Sequence, residues 1–313
     1  MSSRLSVVIP VLNEEEIVPE LVRRVIAVLD ELPGGPHELV IVNDGSTDAT
    51  AEQLDQAAAR DPRLVIVHLS RNFGHQIAIS AGLDHTSGDW VAILDGDLQD
   101  PPEVLPGLLQ KAAEGFDVVY ARRVRRKEGV VLRVCYFIAY RLIAALSDTA
   151  IPLDSGDFGL MSRRVVDAIR ASPEHHRFVR GLRAWVGFRQ VAVEVERHER
   201  AAGAPKYTVR KLMKLTLDGL LAFSTAPLRA TMLLGLLALC LAAGYLGYAL
   251  WARLATGQVP SGFTALLAAV VGLSGVQFLV LGLVGEYVGR IYEQVKGRPL
   301  YVVARVERSP ATD

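Results

Sequence analysis

Cysteine is nearly absent from this chain, with two residues in 313, Cys135 and Cys240. One lies in a basic, helix-like stretch and the other deep in an apolar run. Neither spacing resembles a disulfide framework or a metal-ligand set, so both read as packing residues of a reducing compartment. The N-terminal sixteen residues do not read as a secretory leader, because they hold too short an apolar segment with the wrong flanks. The first part of the chain is therefore expected to stay in the cytoplasm. No internal repeat or low-complexity segment stands out. Net charge is zero, with 34 basic and 34 acidic side chains, but that balance hides a division. Residues 1–121 carry 20 acidic and 7 basic side chains, whereas residues 122–313 carry 14 acidic and 27 basic. The second part is suited to an anionic surface or ligand, unless charged solvent-facing residues merely fell unevenly.

What is present begins with alternating strand and helix signals. Leu5–Val11, Leu39–Val42, Leu64–Leu69 and Trp90–Leu94 are short apolar runs. Helical patterns at 14–30, 48–59 and 76–83 separate them. Short, fully apolar strands between helices predict an α/β domain with a parallel sheet covered on both faces. In such sheets ligands bind at the carboxyl ends of the strands. Polar motifs follow the strands at those ends: Asn13-Glu14, Asn43-Asp44-Gly45 and Asp95-Gly96-Asp97. A further strand, Asp117–Ala121, leads into a cationic cluster of Arg122, Arg123, Arg125, Arg126, Lys127, Arg133 and Arg141 against the single acid Glu128. Val130–Leu146 interleaves arginines with apolar residues and reads either as an interfacial amphipathic helix or as a buried helix with snorkelling arginines.

Ala230–Ala252 is a run of 23 residues without a charge, and Leu254–Gly285 is also charge-free. Twenty-three helical residues span roughly 34 Å, enough to cross a hydrocarbon layer of about 30 Å. Two membrane helices are expected, at about 230–252 and 263–285, turning at Pro260-Ser261-Gly262. Arg210, Lys211, Lys214 and Arg229 precede the first span, and Arg290, Lys296 and Arg298 follow the second, while the connecting loop holds Arg253 alone. By the positive-inside rule both termini and the α/β domain face the cytoplasm. The expected organisation is thus a cytosolic domain over 1–226, a transmembrane hairpin over 227–286 and a cytosolic tail over 287–313 with a returning strand at 300–306.

The chemistry-bearing motif is DGDLQDPP, 95–102. Two carboxylates one residue apart can share a hard cation such as Mg²⁺ or Mn²⁺, which binds a diphosphate and neutralises charge on a leaving group. Gly96 between them permits close backbone approach. Paired acids in turns are common, and what lifts this pair is its place at the same sheet edge as the other polar motifs. Asp44 can accept hydrogen bonds from a nucleobase or ribose; its bland alternative is turn chemistry, and Asp48 is assigned to a helix cap.

These segments resemble family 2 glycosyltransferases of GT-A fold: VVIPVLNEEE (7–16), VNDGSTDAT (42–50), SRNFGHQIAISAGLD (70–84) and DGDLQDPPE (95–103). IPLDSGDFGLMSRR (151–164), FVRGLRAWVGFRQ (178–190), RAAGAPKYTVRKL (200–212) and GEYVGRIYEQVKGRPLYVV (285–303) resemble the bactoprenol-phosphate glucosyltransferase branch, with dolichol-phosphate mannose synthase a more distant relative. The resemblance implies inverting transfer of one hexose from a nucleotide-diphosphate sugar, UDP-glucose by default, to polyprenyl (undecaprenyl) phosphate at the bacterial inner membrane. It implies donor-binding roles for Pro10, Asn13, Glu14, Asp44, Asp95, Asp97, Arg200 and Lys206. It makes Asp95, Asp97 and Gln99 ligands of Mg²⁺ or Mn²⁺, and Arg123, Arg133 and Arg141 contacts of the acceptor phosphate. Asp157 falls where a catalytic base is usually placed, with Asp154 close by, and positioning of acceptor or sugar is an equal alternative. A homo-tetramer is implied, with Gly272, Gly275 and Gly282 permitting close helix contacts, and no nucleic-acid partner.

Two rivals are weighed. A processive polysaccharide synthase needs a translocation channel and a Q-x-x-R-W motif, and Arg180 to Trp185 has the wrong spacing for it. A non-catalytic nucleotide-binding scaffold at the membrane is disfavoured by intact acidic motifs.

Overall fold

In a computed structural model of the chain, residues 3–123, 155–175, 177–195, 226–257 and 262–308 are described. They fall in two compact units. The first is built on eight strands: β1 (Leu5–Val11), β2 (Glu38–Asn43), β3 (Leu64–Leu69), β4 (Trp90–Ile93), β5 (Val118–Arg123), β6 (Ser155–Ser162), β7 (Gln190–Val195) and β8 (Val303–Arg308). They form one sheet in the order β7-β5-β6-β4-β1-β2-β3-β8. Its helices are α1 (Val18–Glu31), α2 (Thr50–Ala58), α3 (His75–Asp84), α4 (Leu105–Ala112), α5 (Arg163–Ala171) and α6 (Val179–Trp185).

Side chains alternate across the sheet and so build two cores. Val7, Ile9, Val11, Leu39, Ile41 and Ile66 pack on one face with Leu21 and Val25 of α1, Leu54 of α2 and Leu108 of α4. Val8, Val40, Val42, Val65 and Val67 pack on the other with Ile79 of α3, Val166 and Ile169 of α5 and Leu182 of α6. Burial on both faces is why these strands read as continuous apolar runs.

The sheet is mixed, which corrects the expected parallel one. β4, β1, β2 and β3 are parallel, but β6 runs antiparallel between β4 and β5, and β8 runs antiparallel along β3. Apolar patterning reports burial and carries no information on strand direction. The reversal of β6 has a consequence for chemistry. Its register sets Gly159 opposite Ile93, and two further residues in each direction bring Asp157 level with Asp95.

The second unit is a pair of helices, α7 (Ala226–Thr256) and α8 (Phe263–Val295), which contact each other. Both are long and apolar enough to cross a membrane, with mean hydropathy 2.0 over Ala230–Ala255 and 1.7 over Ala269–Val295. Their leucines are largely exposed, Leu279 at 76 %, an arrangement that water penalises and an apolar medium does not. α8 continues ten residues beyond the expected end at 285, carrying Glu286 and Arg290, paired at 3.0 Å, on the same helix.

Candidate active site

Four strand ends and the start of β6 converge at one edge of the sheet, and short polar ties hold their loops together. After β1, Asn13 takes a left-handed conformation (φ 52°). Its Oδ1 accepts from the Thr47 amide at 2.8 Å, and its amide donates to Ser46 Oγ at 3.0 Å. The Glu14 amide donates to Thr50 Oγ1 at 2.9 Å, and Glu15 accepts from the Ala49 amide at 2.8 Å. The first predicted donor motif therefore clasps the second. Pro10, buried in β1, lies opposite Val42. Asp48 accepts from the Thr50 amide at 3.1 Å in the turn before α2. The cap residue of that helix is Ala49, without a side-chain cap, so the helix cap expected of Asp48 is replaced by a tight turn one residue earlier.

Asp44, only 3 % exposed, receives the Phe73 amide on Oδ1 at 2.7 Å and the Gly74 amide on Oδ2 at 2.9 Å. Burial raises its pKa above the ordinary carboxylate value despite those two bonds. Gly45 beside it has φ 72°, and a Cβ there would stand 2.5 Å from the Arg71 carbonyl carbon, so only glycine lets the exits of β2 and β3 meet. The same holds at Gly96, where a Cβ would lie 2.9 Å from the Pro10 carbonyl oxygen. The glycine between the two aspartates is thus required by the end of β1, a neighbour that the sequence motif did not reveal.

Asp95 and Asp97 follow β4 and are both partly exposed. The Gln99 amide donates to Asp97 Oδ1 at 3.1 Å. The loop leaves through a 3₁₀ turn whose Glu103 is held by Arg24 of α1 in two bonds of 2.9 and 2.6 Å. Among the described residues no group of three or more His, Cys, Asp or Glu side chains could hold a metal. The protein offers two hard carboxylates, and that donor set fits Mg²⁺ or Mn²⁺ completed by phosphate oxygens of a substrate.

His75, the first residue of α3, joins the two carboxylate groups of this edge. Its Nε2 lies 3.6 Å from Asp95 Oδ1 and 3.6 Å from Asp157 Oδ2. Against the desolvating effect of its surroundings, the nearby carboxylates of Asp157 and Asp95 raise its pKa. Asp157 is buried and fully engaged, with Oδ1 and Oδ2 on Arg180 of α6 and Oδ2 also on Gln76 Nε2 at 3.0 Å. Burial alone would raise its pKa, but the Arg180 charge, followed by His75, holds it well below the ordinary carboxylate range. Gln76 Oε1 in turn accepts the Val179 amide at 2.7 Å and fixes the start of α6. Arg183, one turn on and 2 % exposed, rests against the Tyr120 ring at 5.1 Å, and burial pushes its pKa down to about 10. His75, Gln76 and Arg180 were not singled out from sequence as site residues. The available signal was a polar pair opening the helix that follows β3, at the edge where every other polar motif sits.

Arg123 ends β5 opposite Val195. Arg122, beside it, pairs with Glu194 of β7, which accounts for a cation at that position. Asp154, Arg133, Arg141, Arg200 and Lys206, with the expected interfacial helix 130–146, lie outside the described residues.

The chain matches the family model described as glycosyl transferase family 2 over residues 6–170, more than half its length. It belongs to glycosyl transferase family 2. The helices α7 and α8 match a second family model, the GtrB C-terminal hairpin, over residues 226–291. Among relatives of this family 2 member, the SfII prophage-derived bactoprenol glucosyl transferase of Shigella flexneri is 40 % identical over 306 residues, covering 97 % of this chain and 99 % of that protein. The undecaprenyl-phosphate 4-deoxy-4-formamido-L-arabinose transferase of Klebsiella pneumoniae is 37 % identical over 316 residues, covering 99 % and 95 %. Among solved structures, glucosyl-3-phosphoglycerate synthase from Mycobacterium tuberculosis in complex with Mn²⁺, UDP-glucose and phosphoglyceric acid superposes with a TM-score of 0.50 at 23 % identity, covering 70 % of this chain and 79 % of that one. That likeness concerns the fold: a Rossmann-like GT-A domain, followed here by an apolar two-helix hairpin.

Proposed function

We propose that this family 2 glycosyltransferase moves one hexose from a nucleoside diphosphate sugar to a polyprenyl phosphate at the cytoplasmic face of a membrane. One observation carries the reading: identity of 40 % with a bactoprenol glucosyl transferase runs over 97 % of the chain, domain and hairpin alike. The clasped loops after β1 and β2 form the nucleoside side, with Pro10, Asn13, Glu14 and Asp44. Asp44 works chiefly by fixing the 73–74 turn, leaving its remaining lone pairs for a nucleoside donor. Asp95 and Asp97, with Gln99 beside them, would hold Mg²⁺ or Mn²⁺, which when bound supplies positive charge at the diphosphate. Arg200 and Lys206 are assigned to the donor diphosphate, and Arg123, Arg133 and Arg141 to the acceptor phosphate, where a guanidinium fork suits two oxygens.

The acceptor phosphate oxygen forms a bond to the anomeric carbon as the bond from that carbon to the diphosphate oxygen breaks, with inversion. A phosphate monoester has its second pKa near about 6 and attacks as a dianion, so no proton needs removing. A carboxylate gripped by arginine is a weak base, and we assign Asp157 to positioning: it locks α6, β6 and His75 around Asp95. The hairpin crosses the membrane twice with both termini cytoplasmic, and the interfacial helix 130–146 brings the acceptor phosphate to the site. Small faces at Gly272, Gly275 and Gly282 suit assembly into a tetramer.

The test is a donor screen with purified full-length protein, undecaprenyl phosphate and each nucleotide sugar in turn, Mg²⁺ or Mn²⁺ present. One donor consumed, with a product one hexose heavier than the lipid phosphate, is expected; UDP-glucose is the first choice. A polymer, or no consumption of any donor, overturns the reading.

A further inference from the structure

A line of polar groups, buried at its centre, runs from β8 to the loop after β2, and nothing in the reaction described so far uses it. Arg305 of β8 bonds Asp55 Oδ2 through Nη2. The other oxygen of Asp55, on α2, is 2.8 Å from His68 Nε2. His68 Nδ1 is 3.0 Å from Asn43 Nδ2, and Asn43 Oδ1 accepts the Ser46 amide at 2.9 Å. Register explains the line-up, since Asn43, His68 and Arg305 stand opposite one another on β2, β3 and β8. Asn43 and His68 are 4 % and 5 % exposed.

Donor and acceptor rules fix every direction in this line. The Ser46 amide can only donate, so Asn43 turns its oxygen to it and its NH₂ to His68. His68 Nδ1 must then accept, its proton sits on Nε2, and Nε2–H donates to Asp55. A buried histidine so committed is costly to leave half-paired, and the line ends on Ser46. That residue's Oγ takes the Asn13 amide, and its neighbour Thr47 is held by Asn13 Oδ1.

We propose that His68, Asp55 and Arg305 are positioning residues for donor binding: the strand that follows the apolar hairpin sets the 43–47 loop through them. This rests on the reading that the loop holds the donor nucleoside. Loss of one net hydrogen bond, about 0.5–1.5 kcal/mol, corresponds to roughly a 2- to 12-fold change in affinity.

The experiment measures the UDP Kd, and the KM of whichever nucleotide sugar is consumed, for full-length Arg305→Ala, Asp55→Asn and His68→Phe beside Asp44→Asn. Donor KM and UDP Kd are expected to rise about threefold in Arg305→Ala and about tenfold in His68→Phe, with acceptor KM and kcat unchanged. His68→Asn, which restores an acceptor toward Asn43, recovers part of the loss. A purely structural role would lower Tm and the active fraction while leaving donor KM alone. Values within twofold of wild type in Arg305→Ala and Asp55→Asn, with Asp44→Asn impaired, overturn the relay. Should Asp44→Asn also keep wild-type UDP affinity, the donor reading of the loop falls and takes the relay with it. Arg305→Ala and Asp55→Asn, at a half-exposed and a partly exposed position, decide the matter if His68→Phe does not fold.

Discussion

Arg180 grips Asp157 along one edge of its guanidinium, Nε to Oδ1 at 2.9 Å and Nη2 to Oδ2 at 3.2 Å. The two side chains are 15 % and 4 % exposed, so the pair is shielded from solvent and its geometry persists at high salt. Whatever lies at this edge is arranged around an aspartate that is already spoken for.

From that follows a pH expectation. The Asp157 pKa is lower in the folded chain than the unfolded value of about 3.9, so its stabilising contribution is complete above that value. It is lost only as pH falls through the lower folded value. Between pH 5 and 8 the pH profile of kcat/KM should show no limb from Asp157. A limb in that window that disappears in Asp157→Asn would restore the base assignment.

Breaking the pair from one side should cost stability. Asp157→Asn leaves Arg180 without its carboxylate, and loss of one partner of a buried ion pair typically costs about 3–5 kcal/mol. Denaturant titration of Asp157→Asn, Arg180→Gln and the double variant separates the coupling from each deletion. A coupling energy near zero would mean that the pair contributes nothing.

Asp97→Asn should behave differently. The residue is partly exposed in the loop after β4, so Tm should stay within about 2 °C of wild type. Transfer is expected to fall by about 100-fold or more, the scale of several kcal/mol of charge stabilisation. Mn²⁺ binding, followed by its paramagnetic resonance spectrum, should weaken in parallel. Wild-type Mn²⁺ affinity in the variant would remove Asp97 from the ligand set.

Gly45→Ala tests the meeting of two loops. The added methyl enters a left-handed backbone position 2.5 Å from the Arg71 carbonyl carbon, and strain of this kind costs about 1–3 kcal/mol. A fall in Tm together with a raised donor KM is expected. An unchanged Tm would show that the loops yield at no cost.

The hairpin makes a separate prediction. Alkaline carbonate should leave the full-length chain in the membrane fraction, and a reporter fused at the C-terminus should be active only where it folds in the cytoplasm. Activity of a periplasm-dependent reporter at that position would invert the topology.

The sequence by itself determined the parts whose code is local. Predominantly apolar runs of four to seven residues marked β1 to β4, because burial on both faces leaves no polar alternation. The acidic motifs had to lie at one edge once those strands were parallel. Two charge-free runs of membrane length are seen as α7 and α8, and the short strand at 300–306 as β8 at Val303–Arg308. Strand direction was not legible, since an apolar run reads the same either way, and β6 with its two glycines carried a weak strand signal. Tertiary structure alone decided that β6 enters reversed and carries Asp157 to Asp95, with His75 between them and Arg180 behind. It also decided that His68, an apparently stray histidine in a core strand, stands between Asn43 and Asp55. Such pairings join residues 13 to 250 positions apart, and their energy comes from satisfying donors and acceptors that only the assembled sheet brings together.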